Sequence, residues 1–360
     1  KLALHLLNAG HQVTIIDNMS PQIHPDHSAL ALLRKYGCHV IIGDVRDSDK
    51  LSQACKDKEI IYHLAAETGT GQSMYEVRHY HSVNIDGTVS LLENLRTNSS
   101  RVEKIILASS RSVYGEGKYF CEEHGIQYPR ERLDSDLRNN IFEHRCNTCG
   151  KFLKPQVTDE MSLTSPNSIY AATKRYQEDL IRMYGNTNST PTVIFRFQNV
   201  YGPGQSLTNP YTGILSIFTN LILNGKSINV FEDGRPSRDF VYVDDVIYHL
   251  DAALRDTQSG SSILNLGSGA GVTVLDVIKA LERNLQITSV YNISGNTRTG
   301  DIRHNVADLN ALTERFGHYP FMKFNEGVTN FVSWVNKEDI NENGDYDRSL
   351  AELKANNLLK

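Results

Sequence analysis

Short apolar runs at 13–18, 39–44, 60–66, 104–110 and 191–197 alternate with stretches of helical period. Strands that alternate with helices in this way form βαβ units, which pack into a parallel sheet covered on both faces. The predicted class is α/β, a doubly wound Rossmann-type sheet. The runs close on small or polar residues: Asp17 and Asn18, Asp44 before Val45, Ala65 and Ala66 after Leu64, Ser109 and Ser110. In an open parallel sheet the carboxyl ends of the strands form the ligand-binding edge, so these residues mark one site. A strand ending in an acid about 20 residues past a glycine-rich turn is the ribose end of a dinucleotide-binding unit. Asp17 has that place, and 1–10 reads as the helix that follows such a turn. The first strand and its glycine turn are therefore expected upstream of Lys1, and the chain from Lys1 is expected to bind dinucleotide poorly without them.

A second pattern concerns proton transfer. Tyr170 and Lys174 open a periodic segment just after Ser165-Pro166-Asn167-Ser168. Residues four apart share a helix face, so the ammonium is predicted beside the phenol. A neighbouring cation draws the phenol down from its usual ~10 and suits a reaction that makes or breaks a carbonyl. The same spacing at Tyr114/Lys118 and Tyr319/Lys323 is spoiled by Gly115, Gly117 and Pro320. Taken alone, a surface Tyr/Lys pair would look the same.

Length and charge narrow the field. At 360 residues, with 39% hydrophobic and 22% charged, the chain has room for one large α/β unit or two domains. A net charge of -5 gives no basic field for nucleic acid or an anionic membrane. No apolar run approaches the ~20 residues of a membrane span and no signal-peptide pattern opens the chain, so a cytoplasmic protein is expected. Further helices are predicted at 82–95, 213–223, 244–255 and 274–285. The polar segment 341–360 reads as a peripheral helix or a loose tail.

The polar stretch 119–159 breaks the alternation and holds three of the five cysteines. Cys121-Glu122-Glu123-His124-Gly125 and Cys146-Asn147-Thr148-Cys149-Gly150 each set two soft or borderline ligands three residues apart, with a glycine where a tight turn needs freedom. Together Cys121, His124, Cys146 and Cys149 make a Cys₃His set suited to one structural zinc. His144 is an alternative fourth ligand, and a redox pair at Cys146/Cys149 is the competing reading.

Motifs in order along roughly 1–335 resemble one family, the extended short-chain dehydrogenase/reductases that act on nucleotide sugars. They are His63-Leu64-Ala65-Ala66, Val83-Asn84-Ile85-Asp86-Gly87-Thr88, Ser109-Ser110-Arg111-Ser112-Val113-Tyr114-Gly115, Tyr170-x-x-x-Lys174, Arg196-Phe197-Gln198-Asn199-Val200-Tyr201-Gly202-Pro203 and Ser237-Arg238-Asp239-Phe240-Val241-Tyr242-Val243. The resemblance implies an NAD-binding Rossmann domain over 1–197, carrying the insertion 119–159, and a nucleotide-sugar domain over 198–340. It also implies NAD as cofactor, a nucleotide sugar as substrate, and a homodimer packed through the helices at 82–95 and 168–183. By the same resemblance Tyr170 is the proton-transferring phenol, Lys174 the cation that tunes it and holds the nicotinamide ribose, and Ser110 the hydroxyl on the reacting oxygen. NAD is expected at Asp17, Asn18, Asp44, Val45, Leu64, Ala65, Ala66, Asn84, Ser109 and Phe197. The sugar nucleotide is expected at Thr68, Asn199, Gln205, Tyr211, Phe231, Arg238 and Arg303, with the two arginine forks on the diphosphate.

One departure is informative. Family members that dehydrate sugars carry Asp-Glu directly after the catalytic hydroxyl, whereas this chain has Arg111-Ser112. Without that carboxylate pair, dehydration lacks its proton carriers and redox at C4 is left. Within the family, 205–213, Phe231-Glu232-Asp233-Gly234 and the cysteine-bearing insertion are most similar to the 4-epimerases of dTDP-L-rhamnose. The implied reaction is C4 epimerisation of a nucleotide 6-deoxyhexose through a 4-keto sugar. Another nucleotide-sugar epimerase, a 4-oxidase and a non-catalytic nucleotide sensor are the alternatives.

Overall fold

The computed structural model describes residues 1–24, 28–97, 101–211, 213–338 and 345–360. The chain opens with α1 (Leu2–Asn8), β1 (Thr14–Asp17), α2 (Ser28–Lys35), β2 (His39–Ile42), α3 (Ser48–Cys55) and β3 (Ile60–His63). A helix Val77–His81 and a π-helical turn Ser82–Asp86 run straight into α4 (Gly87–Thr97), and β4 (Lys104–Ser110) follows. Sequence signals explain several starts. Asp47 caps α3 by accepting from the backbone N–H groups of Asp49 and Lys50, both at 3.1 Å. Every residue of β4 is buried, which is why it reads as an unbroken apolar run and not an alternating one.

The insertion forms a small antiparallel sheet of β5 (Tyr119–Cys121), β6 (Gly125–Gln127) and β7 (Lys154–Pro155), in the order β6-β5-β7. Then come α5 (Ile169–Asn188), β8 (Thr192–Phe197), β9 (Asn199–Tyr201), α6 (Ile214–Leu223), β10 (Ile228–Val230), β11 (Ser237–Tyr242), α7 (Val243–Arg255) and β12 (Ser261–Leu266). The chain ends with β13 (Gly271–Thr273), α8 (Val274–Leu285), β14 (Tyr291–Ile293), β15 (His304–Asn305), α9 (Phe324–Val335) and α10 (Asp345–Ala355).

In the unit that carries β1 to β4, the parallel strands fall into two sheets, β2-β1 and β3-β4-β8-β12. Ile16 of β1 and Ile61 of β3 share one apolar cluster with Leu91, Leu107 and Ile194, yet no ladder joins those two strands among the described residues. The four-stranded sheet takes its last strand from beyond residue 197. Residues 261–266 return as β12 and pair with β8 over its whole length. Lys104 ties that return in place, its buried ammonium donating to the carbonyls of Ala253 (2.7 Å) and Leu254 (3.1 Å) at the end of α7. The other unit pairs β9 and β15 with β11 and packs α6, α8 and α9 around Tyr201, Phe240, Leu281 and Phe331.

The C-terminal segment is a strap. Residues 339–344 lie outside the described residues, but α10 buries Leu353, and Thr299 N donates to Leu358 O at 2.8 Å. The tail therefore leans on 297–299, the strand-like edge that carries Arg298. No described helix is long and apolar enough to cross a membrane.

Candidate active site

A cavity of about 830 Å³ opens where the carboxyl ends of β4 and β8 face the second unit. Ser109, Ser110, Arg111, Ser112, Tyr170 and Lys174 all line it. Ser110 ends β4 and caps the 3₁₀ turn Arg111–Tyr114, accepting from Ser112 N at 3.2 Å and Ser112 Oγ at 3.0 Å. With those two bonds accepted, its own proton is the one left to give away, toward the cavity and the phenol beside it. Tyr170 arrives on α5, whose start is fixed twice: Ser168 Oγ accepts from Ala171 N at 3.1 Å, and Tyr170 N donates to Ser73 Oγ at 3.0 Å.

The electrostatics differ from the sequence expectation. Lys174 is buried and spends one donor on Ala108 O at 2.9 Å. Burial pulls its ammonium down to about 7. Tyr170 is pushed above its ordinary value by burial, against the opposing pull of the Ser110 hydroxyl and the Arg111 charge. Arg111 is thus a cation acting on the phenol, where the sequence pointed to Lys174. Arg111→Met should move the acidic limb of kcat/KM to higher pH, since losing the cation raises the phenol further and less phenolate exists at a given pH. An unmoved limb would remove Arg111 from the proton-transfer account. The guanidinium itself donates from Nε to Asn199 Oδ1 at 3.2 Å, and burial, then Arg238, hold it down to about 9.

On the cofactor side, Leu64, Ala66, Ser109 and Phe197 line the cavity, as does Lys174 with two ammonium donors left for ribose hydroxyls. That unspent, buried ammonium is the feature that fits a nicotinamide ribose. Asp17, Asn18, Asp44 and Val45 stand along the same sheet edge but outside the cavity wall, as does Ala65. Asp17 Oδ1 accepts from Met19 N at 2.8 Å. Asp44 takes both arms of the Arg46 fork at 2.7 Å and accepts from Asn18 Nδ2, which together hold its carboxyl down to about 2. Val45 packs under Gly87, where an added Cβ would stand 2.7 Å from it. Asn84, expected at the cofactor, is fully buried, and its amide is spent on Glu67 N (2.8 Å), Glu67 O (3.1 Å) and Thr173 Oγ1 (2.9 Å), so it braces α5 against the loop after β3.

On the sugar side, Thr68, Asn199, Gln205, Tyr211, Phe231 and Arg238 line the cavity. Arg303 does not. It is 1% exposed and clasped by Glu143 (2.6 Å), Glu232 (2.9 Å) and Asp233 (2.6 Å). The second guanidinium in the wall is instead Arg298, stacked 4.9 Å over the Phe231 ring and paired with Asp301 at 2.8 Å. A fully paired buried arginine has no fork to offer a diphosphate, and this removes Arg303 from the binding set. Away from the cavity the structure gathers Cys121, His124, Cys146 and Cys149 into one cluster.

The model of the NAD dependent epimerase/dehydratase family matches residues 1–132 and 146–267. The chain belongs to this family. The gap in the match, residues 133–145, falls inside the insertion. Among characterised relatives, dTDP-L-rhamnose 4-epimerase of Burkholderia thailandensis is 35% identical over 90% of this chain and 88% of its own length. UDP-glucuronate 4-epimerase 4 of Arabidopsis thaliana is 29% identical over 91% of this chain and 70% of its own. The structure of UDP-glucuronic acid 4-epimerase from Bacillus cereus with UDP-glucuronic acid and NAD matches with a TM-score of 0.74, at 25% identity, covering 93% of this chain and 95% of that one.

For a member of this family, the residues that sequence reasoning missed are instructive. Ser112 Oγ donates to Ser110 Oγ, and Arg298 lines the cavity where Arg303 does not. Beneath the site, Glu178 accepts from Arg196 Nε and Nη2 at 2.9 and 2.8 Å and from Ser109 Oγ. Glu178 lies four residues beyond Lys174, on the same helix face, and that spacing was the available signal.

Proposed function

We propose that the chain inverts C4 of a nucleotide-linked 6-deoxyhexose, of the dTDP-L-rhamnose kind, in the cytoplasm. It is an NAD-dependent nucleotide-sugar 4-epimerase; the proposal concerns the sugar. NAD, when bound, supplies the oxidant at C4 and the reductant that returns hydride to the opposite face. Tyr170 takes the proton of the C4 hydroxyl and gives it back, and Ser110 donates to the oxygen while it is a carbonyl. Lys174 and Ala108 fix the ribose side, so the wall stays still while the 4-keto sugar turns. Arg238 and Arg298 are placed for the diphosphate. The single observation that carries the reading is the convergence of Ser110, Tyr170 and Lys174 on one cavity whose two carboxylates, Asp301 and Glu232, are both held in ion pairs. The 6-deoxyhexose is supported by the Burkholderia relative.

Arg111 favours a second reading, a nucleotide-linked uronate. A half-buried guanidinium in the cavity wall suits a C6 carboxylate better than a C6 methyl. Incubating the protein with dTDP-L-rhamnose, UDP-glucuronate and UDP-glucose, and reading C4 inversion by NMR, separates the two. Inversion of UDP-glucuronate alone, lost in Arg111→Met, would replace the first reading with the second.

Assembly is proposed as a homodimer through the helical stretch 77–97 and α5. Val89, Tyr176 and Met183 stand exposed on those helices. Sedimentation should show a dimer that Met183→Glu weakens; a monomer at every concentration would contradict it.

A further inference from the structure

We infer that the insertion is a structural zinc site, and that its metal holds one wall of the substrate cavity in place. The ligand atoms of Cys121, His124, Cys146 and Cys149 lie within 4.8 Å of one another. Cys121 Sγ is 3.6 Å from Cys149 Sγ and 3.6 Å from His124 Nδ1, and Cys146 Sγ is 3.6 Å from that same nitrogen. Tetrahedral zinc with bonds of ~2.3 Å to sulfur and ~2.0 Å to nitrogen needs edges of ~3.8 Å for S···S and ~3.5 Å for S···N. Three edges therefore already have the length that zinc requires. A disulfide would need sulfurs at ~2.05 Å, and all three cysteines of the cluster are free thiols.

Backbone and core agree with this. Each knuckle turns on a glycine in the left-handed region, Gly125 at φ 68° and Gly150 at φ 73°, where a side chain would be strained. The apolar cluster of the insertion holds only Tyr119, Cys121, Cys146 and Leu153, with Cys149 against it. Such a core is too small to order the segment, and metal binding supplies the missing folding free energy. His144, the alternative ligand, is turned away and pairs with Glu116 at 3.0 Å, which leaves His124 as the fourth ligand. Three thiolates and one imidazole close the coordination sphere, so the metal has a structural role.

The link to the cavity runs through the chain between the knuckles. Arg132 donates to Asp301 O at 3.1 Å and pairs with Glu232 at 2.8 Å. Glu143 holds Arg303. Asp301 and Glu232 line the cavity beside Arg298 and Arg238, so the four ligands pin both ends of a loop that braces the diphosphate wall. This second step rests on the nucleotide-sugar reading above; the metal site itself does not.

Elemental analysis of the purified protein should find about one zinc per chain. Cys149→Ser should lose it and Cys55→Ser, outside the cluster, should keep it. Should Cys149→Ser fail to fold, the wild-type protein still decides: Co²⁺ exchanged for the native metal should show tetrahedral d–d bands in the red and thiolate charge transfer in the near ultraviolet. Absence of metal together with absence of those bands overturns the site. Chelation should raise KM for the nucleotide sugar about tenfold, as the wall shifts, with NAD affinity unchanged. An unchanged KM in demonstrably metal-free protein overturns the coupling. If no nucleotide sugar is turned over at all, the functional reading fails, while zinc content and the Co²⁺ spectrum still report on the site.

Discussion

Tyr170→Phe is expected to lower turnover by about 10²- to 10⁴-fold, the range lost when a positioned proton carrier is removed. The phenylalanine ring keeps the packing, and the fold of the site does not depend on the hydroxyl: the start of α5 is held by Ser168 and Ser73 through backbone N–H groups. No other group is placed to take over. The described carboxylates lining the cavity are Asp301, paired with Arg298, and Glu232, paired with Arg132 and Arg303. Ser110 can donate, but an alkoxide there would be far too basic to serve as the acceptor. NAD affinity, measured by titration, should stay within about twofold, because Lys174 and the carboxyl edge are untouched. Turnover within tenfold of the parent would remove Tyr170 from its role.

Arg196→Met should cost about 3–5 kcal/mol of stability, the range seen when one partner of a buried ion pair is removed. Arg196 and Glu178 are 3% and 1% exposed. The guanidinium also donates to Tyr114 Oη at 2.9 Å and lies 4.7 Å over that ring, so its loss strands the Glu178 carboxylate and removes a cation–π contact, while Tyr114 Oη keeps its bond to Asn265 Oδ1 at 2.7 Å. Against a total of about 5–15 kcal/mol for an ordinary domain, this is a large fraction. Denaturant midpoints of Arg196→Met, Glu178→Leu and the double variant form the test. The double variant should recover part of the loss, since it leaves no lone buried charge. A loss below about 1 kcal/mol in Arg196→Met would mean that Glu178 accommodates without its partner, contrary to the burial of both groups.

Much of this site was readable because its signals are local. β4 carries its own burial in a continuous apolar run and delivers Ser109 and Ser110 at its end, and α5 carries its cap and its Tyr170/Lys174 face within seven residues. The residues of the proposed zinc site are local in the same sense, two knuckles each with its own glycine. What failed depends on partners remote in sequence. Arg298 and Arg303 flank the same Gly300-Asp301 pair, and nothing nearby says which faces the cavity; that choice is made by Glu143, Glu232 and Asp233, which close around Arg303 from two other segments. Asn84 sits in a family-like motif, but the hydrogen bonds that spend its amide come from Glu67 and Thr173. The place of β12 beside β8 follows from a chain return that strand periodicity does not encode. Of the two expectations for the polar tail, the helix is what forms over 345–355, and its reach to the cavity through Tyr346 and Leu353 was not legible in a polar composition.

The central claim is that C4 is oxidised and re-reduced within one site, with Tyr170 and Ser110 handling the oxygen. Sugar nucleotide deuterated at C4, incubated with the protein and NAD⁺ and followed by NMR, tests it most directly. The account predicts product of inverted configuration that retains deuterium at C4, with no accumulation of NADH. Loss of deuterium to solvent, or one NADH released per sugar consumed, would contradict it.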